Sequence, residues 1–285
     1  MKPRHLSLGL SLGLASLLAL ASPALAAGGV ASDSAGPASQ FQMAMTIYAG
    51  GITLGKMDID ATVRGSDYHA VSNLETSGVV NAFWQAEIQA TSTGKVSTKN
   101  LTPVLYDSFD INRTGKKQEV SLTYDSANPP RLYADPPYST TGYEVKPEDQ
   151  KATLDPLSAV MFIVSGAGTS GTPCSVTAPV FDGRRRYNIE MSKVKDIDIK
   201  MDNGLYAGHA TLCQIKYHQL SGFKPRVLKA NESFPTINAW VVTYPSQTKG
   251  SDYVVPLRVW ADTPYGMVSV VANSLKIDGQ APKAN

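Results

Sequence analysis

The sequence has few of the residues that usually build catalytic or metal sites. It contains only two cysteines, Cys174 and Cys213, and four histidines in 285 residues. Its charges nearly cancel, since 26 lysines and arginines stand against 24 aspartates and glutamates. Nucleic acids and anionic membrane surfaces attract proteins with excess positive charge. We therefore expect no nucleic-acid partner and no charge-driven membrane binding.

Long apolar runs are also absent beyond the N-terminus. Residues 1–26 carry Lys2 and Arg4, then an apolar run, then the small residues of "SPALA", which is the pattern of a signal peptide cleaved after Ala26. No later stretch approaches the roughly 20 apolar residues that a membrane-spanning helix needs. We expect an exported, periplasmic protein whose mature chain has no transmembrane segment.

The rest of the chain is organised as one domain between two flexible ends. Residues 27–38 and 279–285 are small and polar with glycine and proline, which predicts a flexible leader and a flexible tail. Residues 39–278 show period-two alternation broken by glycine-containing turns. The sequence predicts strands near 41–49, 52–63, 68–76, 85–97, 103–112, 116–124, 184–192, 195–201, 208–218, 238–244, 253–260 and 266–277.

Many strands with short connections favour antiparallel pairing over parallel winding. We predict an all-β fold, a single strongly curved antiparallel sheet of about a dozen strands that forms a half-barrel or β-spiral. One short buried helix is expected near 155–164. Asp155 can cap it, Pro156 suits its first turn, and apolar residues cover it on nearly all sides.

The two cysteines are expected to form a disulfide. Export would bring both to an oxidising compartment, where a pair is usually bonded. Such a bond would close a loop of about 40 residues and stabilise the fold by about 4 kcal/mol in the chain-entropy model. Neighbouring strands should then carry them, and two buried thiols are the alternative.

Three consecutive arginines follow an Asp-Gly turn in "VFDGRRRYNIEM". By strand alternation Arg185 would share the apolar face of Tyr187, whereas Arg184 and Arg186 would face solvent. A charge on an apolar face needs a partner. The alternatives are an internal carboxylate, either Asp155 or Asp182, an anionic group of a ligand, or an arginine that reaches the surface.

Other motifs do not assemble into a known site. The "GAGTSG" loop is followed by prolines and β-formers, not by the helix that a dinucleotide requires. His209 and His218 fall on opposite faces of one predicted strand, so they cannot share a metal. We therefore expect no enzyme activity, no metal and no cofactor.

Four stretches carry a family resemblance. They are "YAGGITLGKMDIDATVRGSDYHAVSNLETSG", "TLDPLSAVMFI", "PVFDGRRRYNIE" and "PLRVWADTPYGMVSVVANSLKI", and together they span nearly all of residues 41–277. In combination they resemble the bacterial periplasmic family known as domain of unknown function 3108. The resemblance implies an exported all-β protein of Gram-negative bacteria with no assigned catalytic residues. By fold-level analogy, half-barrels of the lipoprotein-carrier type are comparable.

A curved sheet lined by aromatic and aliphatic side chains can offer an apolar groove. We expect a non-catalytic binder or carrier of a lipid or other hydrophobic molecule in envelope maintenance. The alternative is a structural or protein-interaction protein of the cell envelope without a small-molecule ligand. The candidate ligand-binding residues are Phe83, Trp84, Tyr106, Met161, Arg185, Tyr187, Trp240 and Trp260.

Overall fold

The computed structural model describes residues 36–77, 86–112, 115–125, 128–169, 172–229, 235–246, 248–264 and 266–281. Thirteen strands are described: β1 (Ser39–Ala49), β2 (Ile52–Arg64), β3 (Asp67–Thr76), β4 (Ala86–Val96), β5 (Leu101–Asn112), β6 (Lys117–Thr123), β7 (Arg131–Asp135), β8 (Val176–Phe181), β9 (Arg186–Lys200), β10 (Ala207–Ser221), β11 (Ile237–Tyr244), β12 (Tyr253–Thr263) and β13 (Gly266–Ile277). Three helices accompany them: α1 (Pro147–Gln150), α2 (Pro156–Val164) and α3 (Pro225–Lys229).

All of these strands belong to one antiparallel sheet. Strands β1 to β7 run outward as one meander, and β8 to β13 return as a second meander. The two halves join where β1 pairs with β13, with Phe41 opposite Ile277. Strands β7 and β8 are therefore the two edges of an open sheet. This confirms the predicted all-β antiparallel class.

Helix α2 lies inside the curve of the sheet. Asp155 caps it by accepting a hydrogen bond from the Ser158 backbone N–H, and Leu157, Met161 and Val164 are buried. The helix contacts β3, β4 and β5 from one half of the sheet and β8 and β12 from the other. Since these strands are far apart in the sheet order, the sheet must wrap around the helix. The predicted buried helix is confirmed.

The curved interior is packed with the chain's own side chains. The larger core cluster joins α2 to both halves of the sheet, and Phe41, Leu122, Met161 and Leu257 in it have no exposed surface. Burying a side chain of this size stabilises the fold by about 1.5–3 kcal/mol. Among the described residues, no helix is long and apolar enough to cross a bilayer.

The disulfide between Cys174 and Cys213 is present, with their Cα atoms 5.9 Å apart. The expectation that neighbouring strands carry it is wrong. Cys174 precedes β8, whereas Cys213 lies on β10, and β9 runs between these two strands. The bond therefore ties the start of the edge strand to the second strand from it.

Two further predictions differ from the structure. The predicted strands at 184–192 and 195–201 are one strand, β9, in which Val194 is an extra residue between the pairs Lys193–Cys213 and Lys195–Leu212. This bulge reverses the alternation and makes one strand resemble two. The edge strands β7 and β8 were not predicted, because they are short and prolines flank or interrupt them.

Candidate functional site

The two open edges of the sheet approach each other at one place. Gly183, in the turn between β8 and β9, has a φ of +89° and lies against β6 and β7. A Cβ atom added there would be 2.9 Å from Leu132 Cδ1 and 3.0 Å from Val120 Cγ1. Side-chain packing, and not hydrogen bonding between the edge strands β7 and β8, therefore connects the two edges at this junction. We call the junction between Arg131–Asp135 and residues 181–184 the seam.

The chain between the two edges shields β8 but leaves part of the seam open. Leu154 forms a parallel bridge to Val180, in which its N–H donates to Pro179 O at 2.8 Å and its carbonyl accepts from the Phe181 N–H at 2.9 Å. On the other edge, Leu132 and Tyr133 of β7 are 44% and 54% exposed. Large apolar side chains thus remain in contact with solvent beside the seam.

A cavity of about 470 Å³ lies at the seam. Its walls come from β7, from the connection after it and from the β8–β9 turn. The lining residues are Leu132, Tyr133, Ala134, Pro137, Tyr138, Thr140, Glu144, Val145, Gln150, Phe181, Gly183 and Arg184. We call this the seam cavity. Its lining is mostly apolar or aromatic, with Arg184 as its one basic residue and Glu144 as its one acidic residue.

Arg184 is held at this cavity by its backbone. The Asp182 carboxylate accepts hydrogen bonds from the backbone N–H groups of Arg184 at 2.9 Å and Arg185 at 2.6 Å, which fixes the turn. Burial raises the pKa of Asp182, while these amides and the two arginines act in the opposite direction. The Arg184 guanidinium lies 5.6 Å from the centre of the Tyr138 ring. The turn therefore brings one cationic group to an aromatic wall.

A second cavity of about 330 Å³ lies nearby and shares Gln150 with the first. Leu154, Phe162 and Pro179 contribute to its lining. Tyr124 also lines it, and the buried hydroxyl of this residue has no hydrogen-bond partner among the described residues. Burial is the main reason that the pKa of Tyr124 is raised, so its phenol stays neutral.

A polar network is buried next to the helix cap. The Asp155 carboxylate accepts hydrogen bonds from the Ser158 N–H at 2.8 Å, from the Ser158 hydroxyl and from the Ser92 hydroxyl at 3.2 Å. The Tyr68 hydroxyl lies 2.6 Å from Ser158 Oγ. Burial raises the pKa of Asp155 to about 6 and that of Tyr68 to about 12. These groups satisfy one another, so the network is a cap and not an open reactive site.

The predicted ligand-binding residues that the structure describes do not line one common cavity. Tyr106 and Met161 are buried in the main core, and Tyr187 packs against it. None of the three lines the seam cavity or the second cavity. Phe83 and Trp84 lie outside the described residues.

The two predicted tryptophans are brought together, but in a different role. The rings of Trp240 and Trp260 are 5.4 Å apart, and the Arg258 guanidinium lies 5.1 Å and 5.3 Å from their centres. Neither tryptophan lines either cavity. Sequence reasoning missed Arg258, although its two-residue spacing from Trp260 placed both side chains on one face.

For Arg185 the structure favours the last of the three alternatives, an arginine that reaches the surface. Strand β9 begins at Arg186, so the alternation that placed Arg185 on the apolar face does not extend back to it. Arg185 is exposed and lies 5.7 Å from the Phe223 ring. Arg186 is half-buried and donates to Asp149 O at 3.1 Å and to Asn188 Oδ1 at 2.7 Å. The arginine at the cavity is Arg184, which was expected to be merely solvated.

Comparison with known proteins gives a family and no activity. The model of the family described as "Protein of unknown function (DUF3108)" matches residues 41–272. The chain belongs to this family. No curated protein matches this member of the DUF3108 family.

Among solved structures, the chain is similar to a β-barrel-like protein of domain of unknown function DUF1849 from Brucella abortus. The identity is 10%, the TM-score is 0.48, and 84% of this chain and 97% of that one are covered. A second match is MucB in complex with MucA(peri), at 11% identity and a TM-score of 0.11, covering 84% and 89% of the two chains.

Proposed function

We propose that this DUF3108 protein is exported and binds the apolar part of a lipid or another hydrophobic molecule in the seam cavity, as a non-catalytic carrier in the cell envelope. The observation that carries the proposal is an open cavity with apolar walls at the edge of the sheet. Its rim exposes Leu132 and Tyr133 to solvent. The N-terminal signal pattern motivates the export.

The size and lining of the cavity suit such a ligand. Small-molecule sites usually enclose about 300–1,000 Å³ and are lined mainly by apolar and aromatic side chains, with a few polar groups that orient the ligand. Each Å² of apolar surface removed from water contributes about 25 cal/mol, so an acyl chain against Leu132, Val145 and Phe181 would bind without specific polar contacts. Covering Leu132 and Tyr133 would add to this gain.

The proposed location differs from the concave groove that the sequence suggested. Helix α2 and the core side chains occupy the concave side of the described sheet. A ligand there would have to displace Met161 and its neighbours, and emptying such a packed site costs about 2–5 kcal/mol per large side chain. The seam needs no such displacement, because an open cavity already exists there.

Filling the cavity tests the proposal. Ala134 lines the cavity from β7, so we expect Ala134→Trp to occupy the space and abolish saturable binding of an apolar fluorophore. Ala207→Trp is the matched control, because Ala207 is exposed on β10 and lines neither cavity. The control should bind like the unmodified protein, with displacement by a fatty acid. Urea unfolding of both variants checks that they are folded.

Equal, saturable binding by both folded variants would place the ligand elsewhere and reject the seam cavity. If the unmodified protein itself binds no apolar probe, the carrier function fails. The structural alternative would then gain support from one observation, the open edge of β7 with Leu132 and Tyr133 exposed. An edge strand can pair with a strand of another protein.

A further inference from the structure

We infer that the ligand of the seam cavity is an amphiphile with an anionic head group, a carboxylate or a phosphate, and that Arg184 binds this head group. The inference rests on the proposed function and adds the chemical class and the orientation of the ligand. It also assigns Arg184 a role that strand alternation had given to Arg185.

The Arg184 guanidinium is not committed to a strong partner within the described structure. Its Nε is shielded from solvent and has no hydrogen-bond acceptor among the described residues. Its Nη2 reaches the Tyr143 hydroxyl only at 3.5 Å, the limit of a hydrogen bond. No described carboxylate forms an ion pair with it. A guanidinium whose Nε–H lacks an acceptor favours an anion that supplies one.

Two of the nearby carboxylates, those of Glu144 and Asp182, are already bound to backbone amides, whereas Asp110 Oδ1 is buried without a hydrogen-bond partner among the described residues. Both oxygens of Glu144, the acidic lining residue, accept from the Gly142 N–H at 3.0 Å. Asp182 Oδ1 accepts from the N–H groups of Arg184 and Arg185. Asp110 is the remaining acidic group whose charge acts on Tyr138, and burial raises its pKa. Asp182 therefore acts on Arg184 through its charge but forms no ion pair with the guanidinium among the described residues, so the guanidinium donors remain available to a ligand.

The arrangement of polar and apolar groups sets the orientation. Arg184 and Tyr138 form one part of the wall, and Leu132, Val145 and Phe181 form another. A guanidinium presents parallel donors that match a carboxylate or phosphate in two simultaneous hydrogen bonds. The head group would therefore lie at Arg184 beside the Tyr138 ring, with its chain along the apolar wall.

Two probes of equal chain length and different head groups test the inference. Isothermal titration of the full protein with oleate and with oleyl alcohol should show about tenfold tighter binding of oleate, because a hydrogen bond to a charged group is stronger than one to a hydroxyl. Arg184→Gln should remove this preference and leave the alcohol affinity unchanged. Arg184→Lys should restore part of the preference, since the charge is kept and the paired donors are lost.

Arg64→Gln is the matched control, because Arg64 is exposed at the end of β2 and lines neither cavity. It should bind both probes like the unmodified protein. An alkyl phosphate compared with oleate identifies which anion is preferred. Inorganic phosphate alone should compete weakly, because it lacks the chain.

The outcomes separate this inference from the proposed function. Equal affinity of the unmodified protein for both probes would reject the anionic head group. The same conclusion would follow if Arg184→Gln weakened the binding of both probes equally while its urea midpoint stayed unchanged. In either case the cavity would still bind apolar ligands. If neither probe binds at all, the proposed function itself fails.

Discussion

At the scale of single residues, Asp155 shows how burial changes the chemistry of an ordinary cap. Among the described residues it is the one charged side chain that is wholly buried. Its folded pKa of about 6 lies above the value of about 3.9 expected in an unfolded chain. The folded state therefore holds the proton more tightly. Unfolding free energy should fall as the pH rises from about 4 to about 6 and should level off above that range.

Asp155→Asn should remove this pH dependence, because asparagine caps helices as well as aspartate does but does not titrate. The unfolding free energy of the unmodified protein, minus that of the variant, should fall by up to about 3 kcal/mol between pH 4 and pH 7. Urea unfolding of both proteins at four pH values measures this difference, in which all other titrating groups cancel. Parallel curves would show that folding does not raise the pKa of Asp155.

The three arginines 184–186 show a limit of predicting side-chain orientation from sequence. Tyr187 and Ile189 are partly buried against the main core, and Met191 is buried in the smaller core cluster, so these three residues face inward as alternation predicted. Arg185 is exposed and lies before the strand, in the turn that Asp182 fixes, so alternation alone could not choose among its alternatives. Alternation applies only inside a strand, and the first residue of a strand is the least certain feature of any sequence pattern.

At the scale of elements, the strongly patterned segments were predictable and the edges were not. Helix α2 carries its own signals, a capping residue, a proline in the first turn and a continuous apolar run. Strands β7 and β8 carry weak signals, since one has five residues between proline-rich stretches and the other contains Pro179. Because these two strands border the seam, the candidate site lies where local patterns are least informative.

The disulfide stabilises an edge of the sheet and gives an element-scale prediction. It joins residues separated by 39 positions. The chain-entropy model gives about 4 kcal/mol for a loop of this length. We expect the Cys174→Ala, Cys213→Ala double variant to lose stability of that order in urea unfolding.

The reduced protein should unfold at a similarly lower urea concentration, which controls for the lost side-chain packing. Thiol labelling of the oxidised, denatured protein should find no free thiol. Unchanged urea midpoints on reduction would show that the bond contributes nothing to stability.

At the scale of the whole molecule, the order of the strands decides where a ligand could bind. Sequence predicted a curved sheet with an internal helix, but it gave no sign that the first and last strands pair in the middle. That pairing depends on contacts between distant positions, such as Phe41 and Ile277. Its consequence is that β7 and β8 become the open edges. The interior is filled by α2, and the open cavity lies between the edges instead.

The most direct measurement of the central claim is mass spectrometry of the lipids that co-purify with the protein under native conditions. The unmodified protein and the Ala207→Trp variant should each carry a lipid-class molecule in a defined ratio, and it should be absent from Ala134→Trp. The result that contradicts the account is folded, unmodified protein with no bound amphiphile, or the same lipid retained in full by Ala134→Trp.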